Sequence, residues 1–210
     1  GLARFLADGT LDTTFNTEVG GGEINAFARQ SDGKLIIAGD FHSVNGVECN
    51  HLARLNVDGS LDTAFCSGHG SGTQDSIYAV ALQADGKILL GGYLSSIGDV
   101  PAGQKLARLN SDGTVDTAFA TALSTGFNDV VRTLAVHTDG RIYVGGEFTS
   151  FNSVAANRLV VLESTGARST AFTGLTTGFD KPVNSLLVLA DGKAVVAGQF
   201  PTYNATGAPP

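Results

Sequence analysis

Leu52-Ala53-Arg54-Leu55-Asn56-Val57-Asp58-Gly59-Ser60-Leu61-Asp62-Thr63-Ala64-Phe65 decides the fold, because the chain repeats it. The pattern returns at residues 2–15 and 106–119, and in worn form at 159–172. Its turn glycines, Gly9, Gly59, Gly113 and Gly166, are 50, 54 and 53 residues apart. A second motif is interleaved at residues 24–41, 77–94, 131–148 and 183–200. The glycines of that motif, Gly33, Gly86, Gly140 and Gly192, are spaced by 53, 54 and 52 residues. A period of this length with strand-like patterning marks supersecondary units, each burying an apolar face against its neighbour.

One unit reads as follows. Ile77-Tyr78-Ala79-Val80-Ala81-Leu82 is a first strand, A, and Ile88-Leu89-Leu90-Gly91-Gly92 a second, B. Asp85-Gly86 between them is a hairpin signal that predicts positive φ at both turn residues. Both strands are apolar on both faces, as expected of strands sandwiched between neighbouring sheets. Small residues at Ala26, Ala79, Thr133 and Ser185, and at Gly39, Gly92, Gly146 and Gly198, predict close backbone approach. A looser segment leads to strand C (Leu-Ala-Arg-Leu), a second Asp-Gly turn, and a strand D ending on Phe15, Phe65, Phe119 or Phe172. No helix signal stands out.

Four short antiparallel strands per period predict an all-β chain, a β-propeller of four-stranded antiparallel blades with four blade-equivalents. Residues 1–210 form one repeat domain, with units at about 24–65, 77–119, 131–172, and 183–200 together with 2–15. In a closed ring the N-terminal C–D pair completes the C-terminal A–B blade. The alternative is a slice of a larger propeller, and a β-solenoid is the rival architecture.

Composition narrows the function classes. Net charge is −7 and no Lys/Arg cluster occurs, which argues against a nucleic-acid partner. No apolar run approaches the length of a membrane span, so membrane insertion is not expected. The chain has no Met, which predicts a processed or excised piece of something longer. Cys49 and Cys66 flank the second Leu-Ala-Arg-Leu hairpin. A disulfide, implying an oxidising compartment, and a pair of free thiols both stand open.

The tight A–B and C–D turns fall at one end of each blade, the longer B–C and D–A connections at the other. Variable loops on a rigid scaffold are where recognition sits. The candidate binding residues are His69, Asp75, Asn128, Asp129, Asp180 and Lys181, with Glu23, Gln74, His42, Asp99, Tyr203 and Asn204 on the same face. Arg4, Arg54 and Arg108 on C accompany Asp12, Asp62 and Asp116 on D, while Val161 and Ser169 replace both in the fourth copy of the motif, at 159–172. Their joint loss predicts a cross-strand ion pair of structural purpose. The spacing Asn56-x-Asp58-Gly59-x-x-Asp62 also resembles a calcium loop, but Arg54 stands where such a loop needs its first acidic ligand. No nucleophile elbow, phosphate loop, dinucleotide fingerprint or histidine spacing for metal is present, so no catalytic residue and no cofactor is assigned.

The motifs at 52–65 and 77–94 resemble the delta-60 repeat, a β-propeller-type domain of unknown function, over essentially the whole chain. The resemblance weakens at 159–171, where Glu163-Ser164-Thr165-Gly166 replaces Asn-x-Asp-Gly. It implies a propeller from secreted or surface proteins of bacteria, or from phage structural proteins, without agreed catalytic residues. The expected function is a non-catalytic extracellular, cell-surface or virion module for binding or structural assembly. Its partners would be proteins or glycans, further copies of itself, or the rest of a multi-domain protein. Two alternatives stand beside it: a lactonase- or glycosidase-like propeller hydrolase with a channel metal, and a calcium-stabilised architectural repeat of a filament or shell.

Overall fold

A computed structural model describes residues 1–69, 72–73, 75–98, 100–101, 105–175 and 177–203. The first unit contains Val19–Gly20 (β1), Ile24–Arg29 (β2), Leu35–Gly39 (β3), Ser43–Val44 (β4), Val47–Glu48 (β5), Leu52–Leu55 (β6) and the helix Thr63–Gly68 (α1). The second contains Ile77–Leu82 (β7), Ile88–Gly92 (β8), Ser96–Ile97 (β9), Val100–Pro101 (β10), Leu106–Leu109 (β11) and Thr117–Leu123 (α2). The third contains Val131–Val136 (β12), Ile142–Gly146 (β13), Ser150–Phe151 (β14), Val154–Ala155 (β15) and Leu159–Leu162 (β16), and the fourth Val183–Val188 (β17) and Ala194–Gly198 (β18).

Each complete blade is an antiparallel A–B–C sheet: β2-β3-β6, β7-β8-β11 and β12-β13-β16. The A strands β2, β7, β12 and β17 lie side by side in that order, so successive sheets pack face on face. The cores are therefore formed between units. Ile36 and Ala38 of the first unit pack with Ile77, Ile88 and Leu90 of the second, and Leu89 and Phe119 of the second with Val131, Ile142 and Val144 of the third.

The outer strand departs from expectation. D contracts to one bridged pair (Leu55–Leu61, Leu109–Val115), and α1 and α2 replace its remainder. Asp-Thr-Ala-Phe is a helix start: the Asp62 and Asp116 carboxylates accept the N–H of Phe65 and Phe119 at 3.3 and 3.1 Å. That signal outweighs the strand reading. The turns are corrected too. Gly33 N–H bonds the Gln30 carbonyl and Gln30 N–H the Lys34 carbonyl, and only the glycine takes positive φ. This is a three-residue loop with a glycine bulge, and it recurs at every Asp-Gly. The close approach at Gly39, Gly92, Gly146 and Gly198 is made within the blade. A Cβ on Gly146 would lie 2.1 Å from the Val130 carbonyl oxygen, beside the bulge in β12.

The ring does not close. Among the described residues β17–β18 gains no third strand, and residues 2–15 pair only with themselves, through Phe5–Leu11. The N-terminal pair is instead held on the first unit, with Leu2 and Phe15 packed on Ile37 and Leu55. The four units follow one another in a row with an exposed apolar face at each end. Val195 is 54% exposed where its repeat equivalents Ile36, Leu89 and Tyr143 are at 0%. Leu187 on that face, and Phe27 and Phe5 at the other end, are likewise exposed.

Candidate functional site

The B–C connections, read as loose, are ordered hairpins, and D–A segments join them to form one surface. β4 pairs with β5 and, on its other edge, with β1. Phe127 bridges Phe151 in the third unit, and Phe179 bridges Tyr203 in the fourth. Side chains lock the two kinds of connection together. Asn128 Oδ1 accepts the N–H groups of Thr149 and Ser150 at 2.9 Å each, and Asn152 Oδ1 accepts Gly126 N–H at 2.9 Å.

Three of the six candidate binding residues, Asp75, Asn128 and Asp180, serve this latch. Asp75 accepts Ser95 N–H at 2.9 Å and the Ser95 hydroxyl, and Asp180 accepts Thr202 N–H at 3.3 Å. Asp129 turns back onto Val130 N–H at 2.8 Å, and Lys181 is exposed. His69 is not a surface residue. It ends α1 at 2% exposure, and burial pushes its pKa down to about 4. Gln74, Asp99 and Asn204, with the sequon Asn204-Ala205-Thr206, lie outside the described residues. Asp180 lines a cleft of about 320 Å³, shared with Asn157, Arg158, Thr177, Phe179 and Thr202.

Arg158 escaped the sequence reading. It immediately precedes strand C, as do His51 and Lys105, and all three hold positive φ, at 69°, 65° and 62°. Bulky residues in that conformation are uncommon and concentrate at functional positions. The recurrence of a cationic or imidazole side chain one residue before Leu-x-x-Leu was the available signal. Chemically, the cleft offers a guanidinium, a carboxylate, amide and hydroxyl groups and one aromatic ring, a lining suited to hydrogen-bonded recognition.

The Arg/Asp pattern forms a clasp between units. Arg54 Nε donates to Asp62 at 2.9 Å and Lys34 Nζ donates to the same oxygen at 2.7 Å. The Arg54 guanidinium lies 4.5 Å over the Phe65 ring and its NH1 donates to the Ser111 carbonyl of the next unit at 2.6 Å. Arg4 reaches Val57 and Arg108 reaches Ser164 in the same way, at 2.6 and 2.5 Å. Burial raises the Asp116 pKa, but Lys87, the Phe119 N–H and Arg108 outweigh it and bring the group down to about 2. Asp62 is lowered by the same balance. These carboxylates are saturated by cations and N–H donors, so the donor set does not fit calcium.

Cys49 and Cys66 form a disulfide, with Cα atoms 5.9 Å apart. No helix among the described residues is long and apolar enough to cross a membrane.

No curated protein sequence matches this one. Solved structures similar to it include PorZ of Porphyromonas gingivalis, described as a bacterial surface component of the type-IX secretion system (14% identity, TM-score 0.39). That match covers 80% of this chain and 23% of PorZ. A gluconolactonase of Xanthomonas campestris matches at 13% identity and TM-score 0.35, over 93% of this chain and 75% of its own. The extracellular domain of a hybrid two-component system protein of B. thetaiotaomicron matches at 16% identity and TM-score 0.26, over 93% and 22%. A family profile matches residues 1–15, 30–65, 83–119 and 137–172, which contain most of the B strands, all of the C strands, and the capped Asp-Thr-Ala-Phe corners. With those segments making up more than half its length, the chain belongs to the family described as domain of unknown function (DUF5122) beta-propeller.

Proposed function

We propose that this chain is a non-catalytic assembly and binding module of the delta-60 kind, working outside the cell or on a cell or virion surface. The observation that carries this reading is the pair of open apolar faces. Val195 and Leu187 at one end, and Phe27 and Phe5 at the other, occupy repeat positions that the internal units use to bury one another. Covering each side chain stabilises by roughly 1 kcal/mol or more, on the scale of 1.5–3 kcal/mol for full burial. The natural occupant is a further unit of the same repeat, since its faces are complementary by construction. The edge of β18, unpaired among the described residues, adds hydrogen-bonding capacity to that face. The disulfide supports an oxidising location. The latched loop surface then serves protein or glycan recognition, through the cleft at Arg158 and Asp180.

The test uses the 210-residue chain, whose only source of a further unit is a second copy. Sedimentation or light scattering across a concentration series should show mass rising above the monomer, and Leu187→Lys with Val195→Asp should return it to the monomer at all concentrations. A parent protein that stays monomeric throughout would overturn the assembly reading.

A further inference from the structure

One histidine is unaccounted for. His69 is buried at 2% exposure, and among the described residues neither ring nitrogen has a hydrogen-bond partner. An unsatisfied buried polar group is destabilising, and in a native core it calls for a reason. The ring packs edge-on against Phe65 at 5.4 Å. One of its nitrogens lies with the sulfurs of Cys49 and Cys66 in a group whose three ligand atoms are all within 4.8 Å of one another.

The repeat shows how unusual this trio is. Three residues before strand C, where the first unit has Cys49, the third has Ala156. One residue after the helix phenylalanine, where the first unit has Cys66, the second has Ala120. Four residues after it, His69 stands where the second unit buries Leu123. Three positions that hold none of Cys, His, Asp or Glu in the other copies of the motif carry metal-ligating side chains together, in one unit, around one point. The disulfide explains two of them and leaves the histidine without purpose. Cys66 and His69 are three apart on α1 and its C-terminal cap, a spacing that puts both on one side of the helix, while Cys49 approaches from the strand side.

We propose that Cys49, Cys66 and His69 are a redox-gated site for one soft, thiophilic cation of the Zn²⁺ or Cu⁺ class. Two thiolates and one imidazole are the donor set such ions select, and three protein ligands leave one position of a tetrahedral ion open. In the oxidised chain the sulfurs are bonded to each other and the site is shut. A dithiol reductant transfers two electrons and two protons to the S–S bond, giving two thiols here and a disulfide on the reductant. Each thiol releases its proton to water on taking the cation, and the neutral imidazole binds without losing one. Bonds of about 2.3 Å to sulfur and 2.0 Å to nitrogen require the two sulfurs to move apart by side-chain rotation.

The test refolds the chain without oxygen under a phosphine, which does not hold the metal as a dithiol would, and titrates it with Co²⁺ and then Zn²⁺. The expected result is one Co²⁺ per chain with a thiolate-to-cobalt charge-transfer band that Zn²⁺ removes. The oxidised protein should give no band. His69→Leu, the residue of the matching position, should keep the circular dichroism and the disulfide yet weaken binding at least tenfold. Equal affinity in His69→Leu, or a band in the oxidised protein, overturns the proposal. So does a reduced chain that stays folded without binding, or one that unfolds and is not restored by Zn²⁺. Cys49→Ala with Cys66→Ala supplies the folded control, which should bind neither ion.

Discussion

Replacing Asp116 with serine should uncover how much of the inter-unit clasp rests on one carboxylate. Asp116 Oδ2 accepts from Arg108 Nε at 3.0 Å and NH2 at 2.9 Å, and from Lys87 Nζ at 2.8 Å. The side chains of Arg108 and Asp116 are 9% and 8% exposed, so the pair is desolvated. Removing one partner of such a pair costs about 3–5 kcal/mol, because the other charge stays buried. Arg108 would still hold the Ser164 carbonyl at 2.5 Å, Gln83 at 3.2 Å and the Phe119 ring at 4.1 Å, which places Asp116→Ser near the lower figure. Serine also keeps the helix cap, so cap loss adds little. Arg108→Val alone should cost about 2 kcal/mol, since Asp116 retains Lys87 and the Phe119 N–H. The double variant installs the residues of the fourth motif copy, Val161 and Ser169, both buried there. It should cost about 3 kcal/mol, less than the sum by about 2 kcal/mol of coupling. Urea unfolding of the four proteins of the cycle measures this directly. Additivity within about 0.5 kcal/mol would refute the idea that the two residues act as one buried unit.

Acid should weaken the same clasp. The folded Asp116 pKa, about 2, lies below its ordinary 3.8, so its contribution is complete above 3.8 and disappears as pH falls from there through about 2. Urea midpoints between pH 5 and 2 should fall for the parent and fall less for Asp116→Ser. Removing the disulfide through the double alanine variant should cost about 3 kcal/mol at its sequence separation of 17, read from the shift in urea midpoint. Gly146→Ala should cost at least about 2 kcal/mol because its Cβ meets the Val130 carbonyl, while Gly174→Ala, where a Cβ meets nothing within 4 Å, should stay within about 0.5 kcal/mol. Thermal melts of the two variants decide that contrast.

What repetition records was legible from residues alone. The period, the positions of both turns and the Arg/Asp partnership each appear several times, and in the fourth motif copy Val161 and Ser169 depart together. Less was legible where two local signals compete. Asp-Thr-Ala-Phe carries a strand-like run and a helix cap at once, and the cap prevails because the aspartate already faces the Phe65 or Phe119 N–H. The turn type was misjudged because Asp-Gly is shared by two hairpin geometries that differ in one hydrogen bond. The loop surface misled most. Asp75, Asn128 and Asp180 are polar in order to hold backbone N–H groups of the adjoining connection, and His69 lies in a core that its Gly-rich surroundings disguised. Sequence spacing does not distinguish a side chain aimed at solvent from one aimed at its own chain.

The clasp has a mechanical corollary. Arg4, Arg54 and Arg108 each reach forward to the next unit's turn, but Val161 in the third unit offers no such hand, and among the described residues β17–β18 has no outer strand to brace it. Tension applied along the polypeptide should therefore peel the last hairpin first, at low force, and then meet a stiffer resistance at each remaining seam. A chain built this way behaves as a graded tether, yielding from its C-terminal side in discrete steps while the disulfide-bonded first unit survives longest.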